Sequence, residues 1–187
     1  MSLRYAILGA LATFGPQSGY DLQDYVARGP IYVWSAELSS IYRTLDKLES
    51  EALVSGERDT DSSRRRKTYT ITQQGSMALQ DWFQSEPELM QVRDPMLLRL
   101  FFGNLTSIGT LRKAVHHFRA SMTALEGEYE QAQHELDGGR EQHPQAAVFW
   151  QLTLDFGKEY TAMALRWCDH VLQTLDAIET HREDLLE

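Results

Sequence analysis

Apolar residues recur at helical spacing along most of the chain, and glycine and proline punctuate them. Tyr5, Ile7, Leu8 and Leu11 predict a first helix over about 3–13 with Ser2 as its N-cap, stopped by Gly15-Pro16. Ser18 is placed to cap a second helix, Gly19 to Arg28, with Tyr20, Leu22, Tyr25 and Val26 facing inward and Gly29-Pro30 at its end. Leu38, Ile41, Tyr42, Leu45 and Leu48 predict a third helix over about 36–51, with Ser39, Ser40, Arg43, Asp46 and Lys47 on much of its remaining surface. Two short strands follow, Leu53 to Arg58 and Thr68 to Thr72, and in the second Tyr69 and Ile71 alternate with threonines. The polar loop between them ends in Arg64-Arg65-Arg66-Lys67, which makes the pair a hairpin with a basic tip. A fourth helix starts near Thr72 or Gln73 and carries Met77, Leu79, Trp82 and Phe83.

The pattern changes after Ser85-Glu86-Pro87. Pro95 opens a short apolar helix to about Gly103, and Thr106 or Ser107 caps a long one that Gly138-Gly139 is expected to break near Asp137. A last helix from about Pro144 to beyond Ile178 carries the stripe Phe149, Leu152, Phe156, Tyr160, Met163, Trp167, Val171, Leu175 and Ile178. These residues step by three or four over about eight turns. An antiparallel pair of long helices offers that stripe too little partner surface within one chain. The stripe is therefore expected to be a seam shared with a second subunit.

The order helix, helix, helix, hairpin, helix is that of a winged helix-turn-helix, whose third helix enters the major groove. The expected fold is mainly α: a winged helix-turn-helix over residues 1–86, then an antiparallel long-helix dimerisation domain over 87–187. Ser39, Ser40 and Arg43 would meet base edges, with Lys47 nearer phosphate. The wing cations Arg64, Arg65, Arg66 and Lys67 would lie along or in the minor groove.

Charge sharpens this picture. The formal net charge is −9. Residues 1–85 hold nine Lys/Arg and ten Asp/Glu, whereas residues 86–187 hold nine and 17. The acid lies in the second half, so the basic run can meet phosphate while the remainder faces away. The single cysteine, Cys168, excludes an internal disulfide and fits a reducing, cytoplasmic setting. Nothing in the sequence has the length of a membrane span, and Met1 to Phe14 reads as a core helix rather than a signal peptide.

Catalysis finds no support. His116, His117, His134, His143, His170 and His181 do not form a metal-ligand spacing with Cys168, and no phosphate-binding glycine loop or nucleophile elbow is present. No enzyme activity, cofactor or metal is expected.

Three blocks in order carry a family resemblance: Tyr5-Ala6-Ile7-Leu8-Gly9 with Ser18-Gly19-Tyr20-Asp21-Leu22; Trp34 followed by residues 40–49, SIYRTLDKLE; and residues 65–75, RRKTYTITQQG. Together they resemble PadR-family transcriptional regulators. Leu98-Arg99-Leu100-Phe101-Phe102 and Trp167-Cys168-Asp169 resemble the C-terminal domain of the family's virulence-activator branch. The resemblance implies a homodimer on an inverted-repeat operator in double-stranded DNA, often a repressor released by a small molecule. Tyr42 has two readings: Ile41 and Leu45 beside it suit core packing, whereas the matching tyrosine of the family approaches phosphate. Ala52 stands where the family usually has glycine. Alanine tolerates positive φ poorly, so a different helix ending is expected there. For a small apolar or aromatic effector, Trp34, Trp82 and Trp150 are the candidate pocket residues near the junction of the halves; Trp167 lies on the stripe and reads as packing.

The alternative function is a winged-helix scaffold that binds proteins and no DNA. The arginine wing discriminates, because a scaffold has no need of four consecutive cations at its tip.

Overall fold

A computed structural model of the chain describes residues 3–28, 37–58, 67–89 and 92–184. The chain divides into two compact units, Met1–Glu88 and Leu89–Glu187.

The first unit holds α1 (Leu3–Phe14), β1 (Gln17–Ser18), α2 (Gly19–Arg28), α3 (Leu38–Ser50), β2 (Val54–Arg58), β3 (Lys67–Ile71) and α4 (Gln73–Gln84). Ile7, Leu8 and Leu11 of α1, Leu22 of α2, and Ile41, Leu45 and Leu48 of α3 form one core. Leu53, Val54, Tyr69 and Leu79 close it from the hairpin and α4. The antiparallel sheet has the order β1-β3-β2. Its period of two turns Val54, Gly56 and Arg58 to the same face as their partners Ile71, Tyr69 and Lys67. The two-residue strand β1, which periodicity does not predict, pairs Gln17 with Tyr69 and Ser18 with Thr68.

Local chemistry explains the element ends. The hydroxyl of Ser18 accepts the Asp21 amide at 3.3 Å, and the Asp21 carboxylate accepts the Ser18 amide at 3.0 Å, a reciprocal box at the start of α2. Thr72 caps α4 by accepting the Gly75 amide at 3.0 Å. Its hydroxyl also donates to the Ala52 carbonyl at 2.7 Å, so one threonine ties α4 to the end of α3.

The end of α3 corrects the expectation for Ala52. The Leu53 amide donates to the Leu48 carbonyl and the Ala52 amide to the Glu49 carbonyl, both at 2.9 Å. This double closure places its middle residue in the left-handed region, and Ala52 has φ 56°. The family's glycine geometry is kept with an alanine in it. Tyr20 is a second correction: it is exposed, because β1 starts α2 at a rotation that turns Leu22, not Tyr20, to the core. The proposed Ser2 cap, the Gly29-Pro30 stop and the side chains of Tyr25 and Val26 lie outside the described residues.

The second unit holds α5 (Pro95–Phe101), a single 3-10 turn (Gly103–Leu105), α6 (Ile108–Gly139) and α7 (Pro144–Asp184). Asp94 caps α5 through the Met96 amide at 2.6 Å, and Ser107 caps α6 through the Thr110 amide at 3.2 Å. The two long helices run antiparallel. Arg112 donates to Asp176 at 2.7 Å and to Glu179 at 2.5 Å, Arg119 donates to Asp169 at 3.0 Å, and the Gln133 and Gln151 amides pair reciprocally at 2.9 Å. α6 ends at Gly138-Gly139, two residues beyond the expected break near Asp137. Arg140, just beyond, still reaches Gln151 at 2.7 Å.

Candidate nucleic-acid interface

α3 buries Ile41, Leu45 and Leu48 and leaves the opposite face to solvent. Ser39, Tyr42, Arg43 and Lys47 are exposed on it, and Ser40 is half-buried. Tyr42 resolves in favour of the surface at 42 % exposure. Its ring lies over the start of α2, where only the missing side chain of Gly19 leaves room.

Arg43 is held along the helix. Its guanidinium donates to the Ser40 hydroxyl at 3.0 Å and through Nε to the Ser39 carbonyl at 3.4 Å. The fork is thus oriented at the N-terminal half of α3, the part of a recognition helix that meets base edges. Guanine O6 and N7 could accept its bidentate donors in place of these contacts.

Acidic residues at the C-terminal turn of a helix oppose its dipole. Glu49 lies in the last turn of α3 and Glu51 at its C-cap, and each meets a cation from another element. Glu51 pairs with Arg4 of α1 at 2.6 Å, and Glu49 accepts from Lys67 of β3 at 2.5 Å. The hydrogen bond to Glu49 holds the Lys67 ammonium above its usual pKa, with smaller help from Tyr69. Lys67 Nζ also lies 5.0 Å from the centre of the Tyr69 ring. Burial pushes the Tyr69 hydroxyl up from its ordinary range.

Arg64, Arg65 and Arg66 lie outside the described residues. The hairpin that carries them is formed, and it rises directly from the end of α3. Two residues of this surface escape the sequence reading. Arg58, exposed at the hairpin root opposite Lys67, stands six residues before Arg64 and outside the basic run. Glu49 lies 18 residues from its partner, but an acid in the last turn of a helix and a glycine at position 56 inside a strand were its available signals.

A helix-turn-helix with a hairpin wing is where the comparisons with known proteins converge. The model described as transcriptional regulator PadR-like family matches residues 7–81, and the one described as virulence activator alpha C-term matches residues 92–176. A PadR-like domain is followed in this chain by a virulence-activator C-terminal domain. Bacillus subtilis PadR in complex with operator DNA is 25% identical over 94% of this chain and 99% of its own, with a TM-score of 0.79. The same protein in complex with p-coumaric acid is 26% identical over 93% and 95%, with a TM-score of 0.72. The Vibrio cholerae virulence activator AphA shares the fold at 24% identity over 95% and 99%, with a TM-score of 0.77. No curated protein sequence gives a significant match. Family and fold are those of winged-helix, DNA-binding transcription regulators and not of enzymes.

The described tryptophans of this PadR-like regulator are already engaged within their own units. Trp82 stacks on Tyr5 with centroids 4.8 Å apart and planes 10° apart. Trp150 of the second unit meets His143 edge-on at 5.7 Å. Trp34 lies outside the described residues.

The α7 stripe splits in two. Phe149, Leu152 and Phe156 are 68%, 62% and 54% exposed, and Tyr160 and Met163 are also exposed. Leu175, by contrast, is buried with Leu111 and Val115 of α6 and Met96 of α5, and Trp167 and Val171 pack on that cluster. Trp167 meets Phe118 edge-on at 6.0 Å. Trp167, Val171 and Leu175 of the expected seam therefore pack within the chain, whereas Ile178 at its end is exposed. The sequence did not separate the two parts because α5 and α6 cover the stripe only from Trp167 to Leu175.

Among the described residues, no helix is long and apolar enough to cross a membrane, and no group of three or more His, Cys, Asp or Glu is placed to hold a metal ion.

Proposed function

We propose that this protein is a cytoplasmic homodimeric repressor that binds an inverted-repeat operator and is released by a small apolar or aromatic effector. The observation that carries the reading is the solvent face of α3, which presents Ser39, Ser40, Tyr42, Arg43 and Lys47 beside a formed hairpin whose loop bears Arg64, Arg65 and Arg66. Arg43, oriented by Ser40, reads a base edge; Tyr42 and Lys47 meet phosphate; Arg58 adds a cation at the root of the wing.

Residues 1–86 act as the DNA-binding half and 87–187 as the dimerisation half. Phe149, Leu152, Phe156, Tyr160 and Met163 form an apolar face on α7 that a second copy would cover. Two recognition helices related by a two-fold axis require half-sites about one turn of DNA, roughly 34–36 Å, or a multiple of it, apart. Support for an aromatic effector comes from the p-coumaric acid complex of Bacillus subtilis PadR.

The test is a gel shift on DNA from upstream of the coding region with the double variant Arg64→Ala, Arg65→Ala. Loss of the shifted band with the dimer intact supports the wing assignment. An unchanged shift removes the wing from the interface.

A further inference from the structure

β2 and β3 end at the pair Arg58–Lys67, the last rung described before the arginine-bearing loop. Directly opposed like charges destabilise a ladder. Here the repulsion is relieved from outside the sheet. The Lys67 ammonium crosses toward α3 and donates to Glu49 Oε2 at 2.5 Å. Both side chains are about two-thirds to three-quarters covered, at 26% and 34% exposure. Two further residues make the crossing possible. Tyr69, on the same face two residues along, lies 5.0 Å from the ammonium. Gly56, opposite Tyr69, leaves a lane over β2: a Cβ there would fall on Lys67 Cε and 2.8 Å from Glu49 Oε1.

We propose that Lys67 is a latch that fixes the wing to the recognition helix through Glu49, and not one of the phosphate contacts of the basic run. The inference rests on the DNA-binding reading above. Of the four consecutive cations, three are left for the duplex, and the fourth sets where they stand. Arg66 adjoins the latch in sequence. Base-reading helix and groove-following wing are thereby kept in one register. Lys67 is a positioning residue whose charge is matched by Glu49 before DNA arrives.

Two measurements decide it. The first is amide exchange of the free, full-length protein at residues 56–58 and 67–68, with α1 as the internal reference. Glu49→Gln and Lys67→Gln should each speed exchange there about two- to fivefold, the range for a pair worth up to ~1 kcal/mol. The charge swap Glu49→Lys with Lys67→Glu should restore protection. Unchanged exchange in both single variants overturns the latch. The second is the salt dependence of anisotropy on a mixed-sequence duplex. Lys67→Gln should leave the log–log slope at the wild-type value. Glu49→Gln, which frees a cation, should steepen it by about 0.9 per protomer. A slope flattened by about 0.9 per protomer in Lys67→Gln makes Lys67 a phosphate contact and overturns the proposal. If the wild type binds no duplex at any salt, the DNA-binding reading fails, and the exchange result alone decides the latch.

Discussion

Tyr42 Cε1 lies 2.5 Å from the point where a side chain on Gly19 would begin. The recognition helix therefore meets the first turn of α2 through bare backbone, and the tyrosine is steered by an atom that is not there. Gly19→Ala should push the ring outward. Because Tyr42 is part-exposed, the cost to stability should stay near the low end of overpacking, about 1 kcal/mol. Duplex binding should suffer more, by about tenfold, if displaced contacts on two protomers each contribute ~1 kcal/mol or less. Urea unfolding and anisotropy on the same variant separate the two effects, and unchanged affinity would remove Tyr42 from the interface.

Ala52 holds φ 56° in the turn from α3 to the hairpin. An L-residue there costs roughly 1–2 kcal/mol, from which glycine's extra chain entropy of about 0.5–1 kcal/mol must be subtracted. Ala52→Gly should thus stabilise the first unit by about 0.5–1 kcal/mol in urea unfolding. A destabilised variant would mean that the turn is not held in this conformation.

The two parts of the α7 stripe should respond differently to substitution. Phe149→Glu with Phe156→Glu changes exposed positions, so each chain should stay folded while light scattering falls from a dimer to the mass of one 21.5 kDa chain. Leu175→Ala opens a cavity beside Val115 and Leu111 and should cost about 2–5 kcal/mol of stability. A double glutamate variant that remains dimeric would place the subunit contact elsewhere.

Cys168 is fully buried, and burial pushes its thiol pKa up, against a smaller lowering by Arg119. A raised pKa means less thiolate at any given pH, hence less reactivity. A thiol reagent at pH 8 should label Cys168 only after denaturation. Rapid labelling of the native protein would contradict the packing of α6 on α7.

Much of this was legible in the sequence, and the exceptions have physical causes. Steps of three and four placed Ile41, Leu45 and Leu48 inside α3 and left Ser39, Arg43 and Lys47 outside, because one helix face must be buried. Alternation placed Tyr69 inside and Thr68 and Thr70 on the other face. β1 was hidden because two residues cannot show a period. Gly138-Gly139 marked the end of α6 to within two residues, because glycine lowers helix propensity there. Ala52 misled because hydrogen bonding at the end of α3 outweighs the alanine's own preference. Lys67 belongs to a basic run by sequence and to Glu49 by geometry, and only the strand register that turns it toward α3 separates the two.

DNA recognition by the first unit is tested most directly by anisotropy titration of the purified protein against DNA immediately upstream of its coding region, with scrambled DNA as competitor, at about 50 and 200 mM salt. A dimer making ~6–10 phosphate contacts should prefer the native sequence and lose ~10³–10⁵ in affinity between the two conditions. Binding that is weak at both salts and no better than to the scrambled duplex would contradict an operator in that region and the recognition role of α3.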